Sequence, residues 1–302
     1  MKQFLKYILL FFLLAVVVDL GIGAWGDYLQ KHTKGGEALR LNDLLMKDEY
    51  DILFLGSSRA HHHYDTPYIS DTLGLMAYNA GYDGNGVILA YAILQKTLER
   101  YSPKLVVLDV TPYVDMYTMG KEDYARYVAN LRPYFRDPEI ATILRDLSPA
   151  EWYKAHSGMV RYNTSIVPMT LYFLHGTGKD PYGFVFKTGV LPDESTRGEK
   201  DGYEWDSTKY GYVRRIVQMA KEKSVPLIIA VSPEYNHYYS LGLDSLRILC
   251  RENGILLLDH EADEDISNCK EFFDDPTHLN VSGARVYSRK IADEIKASAL
   301  LN

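Results

Sequence analysis

Residues 51–59 read DILFLGSSR: an acid, four consecutive apolar side chains, a glycine, two serines and an arginine. A short run that is apolar on both faces and stops at glycine reads as a buried strand. Gly56 lets the chain turn sharply, so Ser57, Ser58 and Arg59 stand at the carboxyl end of that strand. The same grammar repeats downstream. LMAYNAG at 75–81, KLVVLDV at 104–110, PLIIAVS at 226–232 and GILLLD at 254–259 are further strands. Helical periodicity separates them: near 86–101, with Ile88, Leu89, Ala92, Leu94 and Leu98 on one face, near 208–223, and from about Ser282 to Ala299. Buried strands alternating with helices predict an α/β fold in three layers, a parallel sheet covered by helices on each side. In such sheets the working residues sit on loops at the carboxyl ends of the strands.

Upstream, residues 7–25 read YILLFFLLAVVVDLGIGAW, a run of 19 with one acid, Asp19. As a helix it is roughly 28 Å long, close to the ~30 Å hydrocarbon core of a bilayer. Residues 1–26 are therefore expected to be a retained membrane anchor. Lys2 and Lys6 precede it, which keeps the N-terminus cytoplasmic and sends the rest of the chain to the periplasm or cell exterior. Asp19 sits toward the outer end, where its carboxylate is expected to reach the interface, and Trp25 and Tyr28 suit the headgroup region. Gly21, Gly23 and Ala24 leave a cleaved leader as the alternative. Residues 27–50 are polar, contain Gly35-Gly36, and read as a stalk running into a short helix.

The whole chain of 302 residues has 33 Lys+Arg against 40 Asp+Glu, a formal charge of −7. With no basic block, this argues against nucleic-acid binding. A hydrophobic content of 47% excludes a largely disordered chain. Two cysteines, Cys250 and Cys269, are too few for a disulfide framework. One bridge and two free thiols are both open, and a bridge fits a compartment outside the cytosol. Residues 101–212 hold 13 of the 25 tyrosines, and about 113–207 is too long for a simple crossover. It reads as a helical insertion packed by aromatics, or as a cap whose flat rings and hydroxyls suit sugars.

Three segments carry the chemistry. GSSR follows the first strand, NAGYDG the second, and DPTHLNVSG precedes the last helix. A serine hydroxyl is a poor nucleophile at neutral pH until an imidazole takes its proton, and the imidazole needs a carboxylate on its other nitrogen. Asp275 and His278, three apart in one loop, supply both groups. The run His61-His62-His63 invites a metal reading. Consecutive residues of an extended chain point to opposite sides, so the run is read as a solvated loop at the cleft mouth, with no metal expected. Gly81, Gly84 and Gly86 follow the spacing G-x-x-G-x-G after the second strand, which is not the nucleotide-binding fingerprint. Arg59 is a candidate for a substrate carboxylate or phosphate, or for an ion pair with a structural acid.

In these three segments, and in their order, the chain resembles the SGNH (GDSL-like) hydrolases and acyltransferases. The resemblance spans roughly residues 51–300, outside much of the aromatic insertion. Its most specific piece is the closing Asp-x-x-His-x-Asn-x-x-Gly pattern. It implies a flavodoxin-like sheet over residues 51–302, with Ser58 as nucleophile, His278 as general base and Asp275 as the orienting acid. The N–H groups of Gly84 and Ser58 would hold the oxyanion. The family's Gly-x-Asn after the third strand is missing, since that place reads Leu108-Asp109-Val110-Thr111-Pro112. Asn85 and the Thr111 hydroxyl are the candidate substitutes. The chain is more similar to the membrane-anchored relatives that modify envelope polysaccharides or teichoic acids than to the small soluble esterases.

The expected activity is acyl transfer through a seryl ester without a cofactor: an esterase when water resolves it, an O-acyltransferase when a glycan hydroxyl does. The expected substrate is an acylated surface glycan or small ester, with other envelope-complex proteins as possible partners. The alternative is a catalytically degenerate binding or assembly component that keeps the fold.

Overall fold

The structure, a computed structural model, describes residues 1–118, 123–192, 203–235 and 241–301. Two compact units emerge, one of residues 1–47 and 128–180, the other of residues 48–127 and 181–302.

The first unit is helical. Helix α1 (Lys2–His32) leads it, followed by α2 (Gly36–Met46) and, after residue 128, by α8 (Pro138–Leu147), α9 (Pro149–His156), α10 (Gly158–Tyr162) and α11 (Ile166–Leu174). The N-terminal two-thirds of α1 is exposed and apolar, and the helix is long and apolar enough to cross a membrane. Its last turns are packed instead. Gly26 lies against the ring of Tyr162, where a Cβ would come within 2.1 Å, so only glycine allows the approach. Tyr162 closes the contact by donating to Asp27 Oδ1 at 2.7 Å. The Asp19 carboxylate accepts from Ser157 Oγ at 2.6 Å and from the N–H groups of Gly158 and Met159 at 3.1 and 2.9 Å. Donors at the start of α10 thus satisfy it. The stretch read as a stalk is largely helical, with Leu29, Leu44 and Leu45 buried.

The second unit is built on strands β1 (Ile52–Leu55), β2 (Ala77–Asn79), β3 (Leu105–Asp109), β6 (Leu227–Val231) and β7 (Leu256–Asp259). They form one parallel sheet in the order β2-β1-β3-β6-β7. A separate antiparallel pair joins β4 (Tyr117–Thr118) to β5 (Glu204–Trp205). The register sets Ile52 opposite Ala77 and Leu105, and Val106 opposite Leu227. All five strands lie where the sequence placed them. The first four, β2 at one edge included, are buried throughout, whereas β7 at the other edge leaves Leu256 38% exposed.

Helices α3 (Ser58–His63), α4 (Thr66–Leu73), α5 (Val87–Arg100), α6 (Pro112–Asp115), α7 (Asp123–Val128), α12 (Ser207–Glu222), α13 (Leu241–Asn253), α14 (Glu264–Ser267) and α15 (Val281–Ala297) connect these strands. Ile52, Phe54, Leu105, Val107 and Ile228 pack with Tyr287, Ile291 and Ile295 of α15. The alternate residues Leu53, Leu55, Val106 and Leu108 point the other way, and α5 and α12 pack against each other. Each such side chain, fully buried, contributes ~1.5–3 kcal/mol. From β1 the chain passes to β2 on one side and then to β3 on the other. This reversal makes the carboxyl ends of β1 and β3 the switch point at which parallel sheets generally bind ligands.

Candidate active site

The turn after β1 creates the site. Gly56 has φ +150°, and a Cβ there would meet the Asp109 carbonyl at 2.6 Å and Ala60 at 2.9 Å. The sharp bend therefore requires glycine. Ser57 caps α3, accepting from the Arg59 N–H at 3.4 Å. Ser58 opens the helix and is partly exposed.

Ser58 Oγ lies 2.7 Å from His278 Nε2, although 220 positions separate them. His278 Nδ1 stands 2.9 and 2.8 Å from the two carboxylate oxygens of Asp275. The carboxylate is an acceptor, so Nδ1 carries the proton and Nε2 faces the serine hydroxyl as a lone pair. Asp275 Oδ1 also accepts from the backbone N–H groups of Thr277 and His278 at 2.9 and 3.0 Å. Burial opposes ionisation of Asp275, but the His278 hydrogen bond and charge outweigh it and hold the carboxyl well below its usual range.

The loop is held from several sides. Phe273 bridges to Leu279 across it, and Asp274 N–H donates to the His278 carbonyl at 2.9 Å. Asn280 caps α15 through the N–H groups of Ser282 and Gly283, while its Nδ2 donates to the carbonyls of Glu271 and Phe273. Those bonds explain the Asn of the closing pattern. Its glycine has a steric reason, because a Cβ at Gly283 would reach 2.2 Å from the Phe272 carbonyl. Asn79, from the second segment, ties the nucleophile helix down by donating to the carbonyls of Ala60 and Tyr64 at 2.7 and 3.1 Å.

Gly84 has φ +67°, a left-handed conformation that suits glycine. Asn85 Nδ2 donates to the Asp83 carbonyl at 3.0 Å. The Thr111 hydroxyl, 1% exposed, pairs with Ser57 Oγ at 3.1 Å, so its partner is the cap rather than the nucleophile.

Of the two sequence readings of Arg59, the structure shows the ion pair with a structural acid rather than a substrate contact. Arg59 is 1% exposed, with NH1 3.2 Å from Glu234 and Nε donating to Ser232 Oγ at 3.1 Å. Tyr113 donates to the other Glu234 oxygen at 3.1 Å. The guanidinium is spent on a buried acid.

The histidine run is a correction. Residues 61–63 are not a solvated loop; they lie on α3 and all three are buried. A helix turns successive side chains by about 100°, whereas the extended chain assumed from sequence alternates them. His63 accepts from the Leu279 N–H at its Nε2, 3.0 Å away, and its Nδ1 pairs with Ser232 Oγ at 3.0 Å. Burial first, then the Arg59 charge, push its pKa well down, so it is neutral. His61 and His62 converge on Asp83, at 2.9 and 3.0 Å. Burial opposes the Asp83 charge, but the two imidazoles beside it hold its carboxyl far below the usual range.

Sequence reasoning missed Ser232, Glu234 and Lys187. The first two follow β6 directly, so the rule about carboxyl ends of strands already pointed at them. Lys187 pairs with Asp274 at 3.1 Å and approaches Asp275 at 3.5 Å; its segment has no periodicity from which to place it. Cys250 and Cys269 are unbridged, and burial pushes the Cys250 thiol up to about 11, which suppresses its reactivity.

No protein-family model matches the chain, and no curated protein matches it. Solved structures align over most of its length at low likeness. An acetyl xylan esterase shares 12% identity at a TM-score of 0.41, covering 82% of this chain and 99% of its own. A mutant acetyl-xylooligosaccharide esterase from Geobacillus stearmophilus shares 13% at 0.43, covering 82% and 94%. An α/β hydrolase enzyme from the metagenome of Lake Arreo, Spain, shares 12% at 0.43, covering 86% and 99%. At that level the likenesses carry no chemistry across, and the geometry above has to stand alone.

Proposed function

We propose that this chain is a membrane-anchored, extracytoplasmic serine esterase or O-acyltransferase of the SGNH type, acting on acylated cell-surface glycans. One observation carries the reading: Ser58 Oγ, His278 and Asp275 lie in a single hydrogen-bonded line, with spacings of 2.7 and 2.8 Å. In the reaction, Ser58 Oγ attacks an ester carbonyl while His278 Nε2 takes its proton. Asp275 steadies the imidazolium. The N–H groups of Ser58 and Gly84 receive the oxyanion, and collapse of the tetrahedral intermediate expels the alcohol, which takes the proton from His278. Water or a glycan hydroxyl then attacks the seryl ester by the reverse path. The glycan follows from the anchored location and the tyrosine-rich insertion; no residue pattern specifies a sugar.

An aryl acetate tests the reading. A burst of one phenol per chain, followed by slower turnover, is expected. A burst that persists in Ser58→Ala overturns the assignment of the nucleophile. A folded wild-type chain with neither burst nor turnover favours the non-catalytic binding component. The missing family Asn supports that second reading, because loss of one oxyanion donor costs roughly 10²–10³ in turnover.

A further inference from the structure

His61, His62 and Asp83 form a second cluster beside the Ser58–His278–Asp275 line, the His62 ring standing edge-on to His278 at 5.7 Å between centroids. The Nδ1 of His62 stands 2.7 Å from the Val185 carbonyl, which only accepts. That nitrogen therefore bears the proton, and Nε2 presents a lone pair. This lone pair faces Asp83 Oδ1 at 3.0 Å, and His61 Nδ1 faces the same oxygen at 2.9 Å. Two acceptors at hydrogen-bond distance repel unless a cation sits between them, either a proton or a metal ion. The candidate ligand atoms of all three residues lie within 4.8 Å of one another. The imidazoles are 7% and 6% exposed and the Asp83 side chain is 60% exposed, so the site has a buried nitrogen wall and a carboxylate mouth.

We propose that His61, His62 and Asp83 bind one Zn²⁺ ion. Two imidazole nitrogens and one carboxylate oxygen make a three-ligand zinc set with an open fourth position. The Val185 carbonyl plays the outer-shell part that fixes a ligating histidine's tautomer and orientation. The ion takes the place of the cation that the facing lone pairs require. Asp83 directly precedes Gly84, so the bound ion pins the Gly84 loop to α3. The inference concerns metal binding alone and stands whether or not the acyl-transfer reading holds.

The test uses the full chain in detergent, stripped with chelator, given Zn²⁺, and passed through gel filtration for metal analysis. One equivalent of zinc is expected to stay with the protein, and Co²⁺ in its place is expected to give the intense visible bands of a four-coordinate site. Asp83→Asn and His62→Gln are each expected to weaken Zn²⁺ by more than the roughly 10–100-fold that loss of an outer-shell partner costs. Zn²⁺ is expected to raise the melting temperature of wild type but not of Asp83→Asn, a comparison that also reports whether the variant is folded. A folded wild-type chain that retains no zinc overturns the proposal and assigns the site to a shared proton. Retention unchanged in both variants overturns it too, by placing the metal elsewhere.

Discussion

At the scale of single residues, Asp275 and Arg59 do opposite work. Asp275 selects the His278 tautomer. With an amide at that position, Nδ1 no longer faces an obligate acceptor, and the lone pair is lost from the side of Ser58. Asp275→Asn is expected to lower aryl-ester turnover by about 10⁴-fold with little effect on KM, measured by steady-state kinetics. Arg59 holds a buried acid. Arg59→Met leaves Glu234 buried without its countercharge and is expected to destabilise the fold by about 3–5 kcal/mol in denaturant unfolding. Glu261 titrates where neither does. Burial, aided by the Glu234 and Asp259 charges and opposed by Arg59, raises its carboxyl from the usual 4.5 to about 7. Between those values the native state holds a proton that the unfolded chain has lost, so this group's contribution to stability falls as pH rises from 4.5 to 7 and is flat above. Glu261→Gln is expected to gain on wild type across that window by on the order of 3 kcal/mol, read from unfolding curves at several pH values.

The meeting of Ser58, Asp275 and His278 was legible in the sequence, through the resemblance that GSSR and DPTHLNVSG carry. Arg59 was not decidable, since the acid it meets lies 175 positions away. The histidine run was misread because its local conformation was taken as extended. A helix of only six residues, buried on every histidine, leaves too little apolar periodicity to announce itself.

Among elements, the sheet was legible and the helical packing of the first unit was not. DILF, LVVLD and LIIAV are apolar on both faces, a pattern that only a strand covered on each side satisfies. The edge position of β7 was hidden, because GILLLD is as apolar as its neighbours. The approach of α1 to Tyr162 depends on Gly26, a residue to which the sequence reading gave no role. The structure gives Gly26 a packing role, which yields a prediction. Gly26→Leu drives a side chain into the Tyr162 ring and is expected to destabilise the first unit by ~1–3 kcal/mol or more. Limited proteolysis of residues 128–180 measures it: faster cleavage than wild type supports the contact, and an unchanged rate removes it.

For the whole molecule, the proposed topology joins a membrane segment to a site that works outside the cytoplasm. Lys2 and Lys6 before an exposed apolar helix support that orientation. In the proposed reaction, the acyl group and its acceptor are set by surfaces spread over distant segments. Tyrosine content alone does not encode them. The catalytic proposal is far narrower, because it concerns one oxygen atom.

Its most direct measurement is peptide mapping by mass spectrometry after the full-length protein meets a fluorophosphonate. The account predicts a single phosphonylated side chain, Ser58, with labelling abolished in Ser58→Ala and strongly slowed in His278→Ala. Adducts on another residue, or an unmodified Ser58 in a chain shown to be folded, would contradict it.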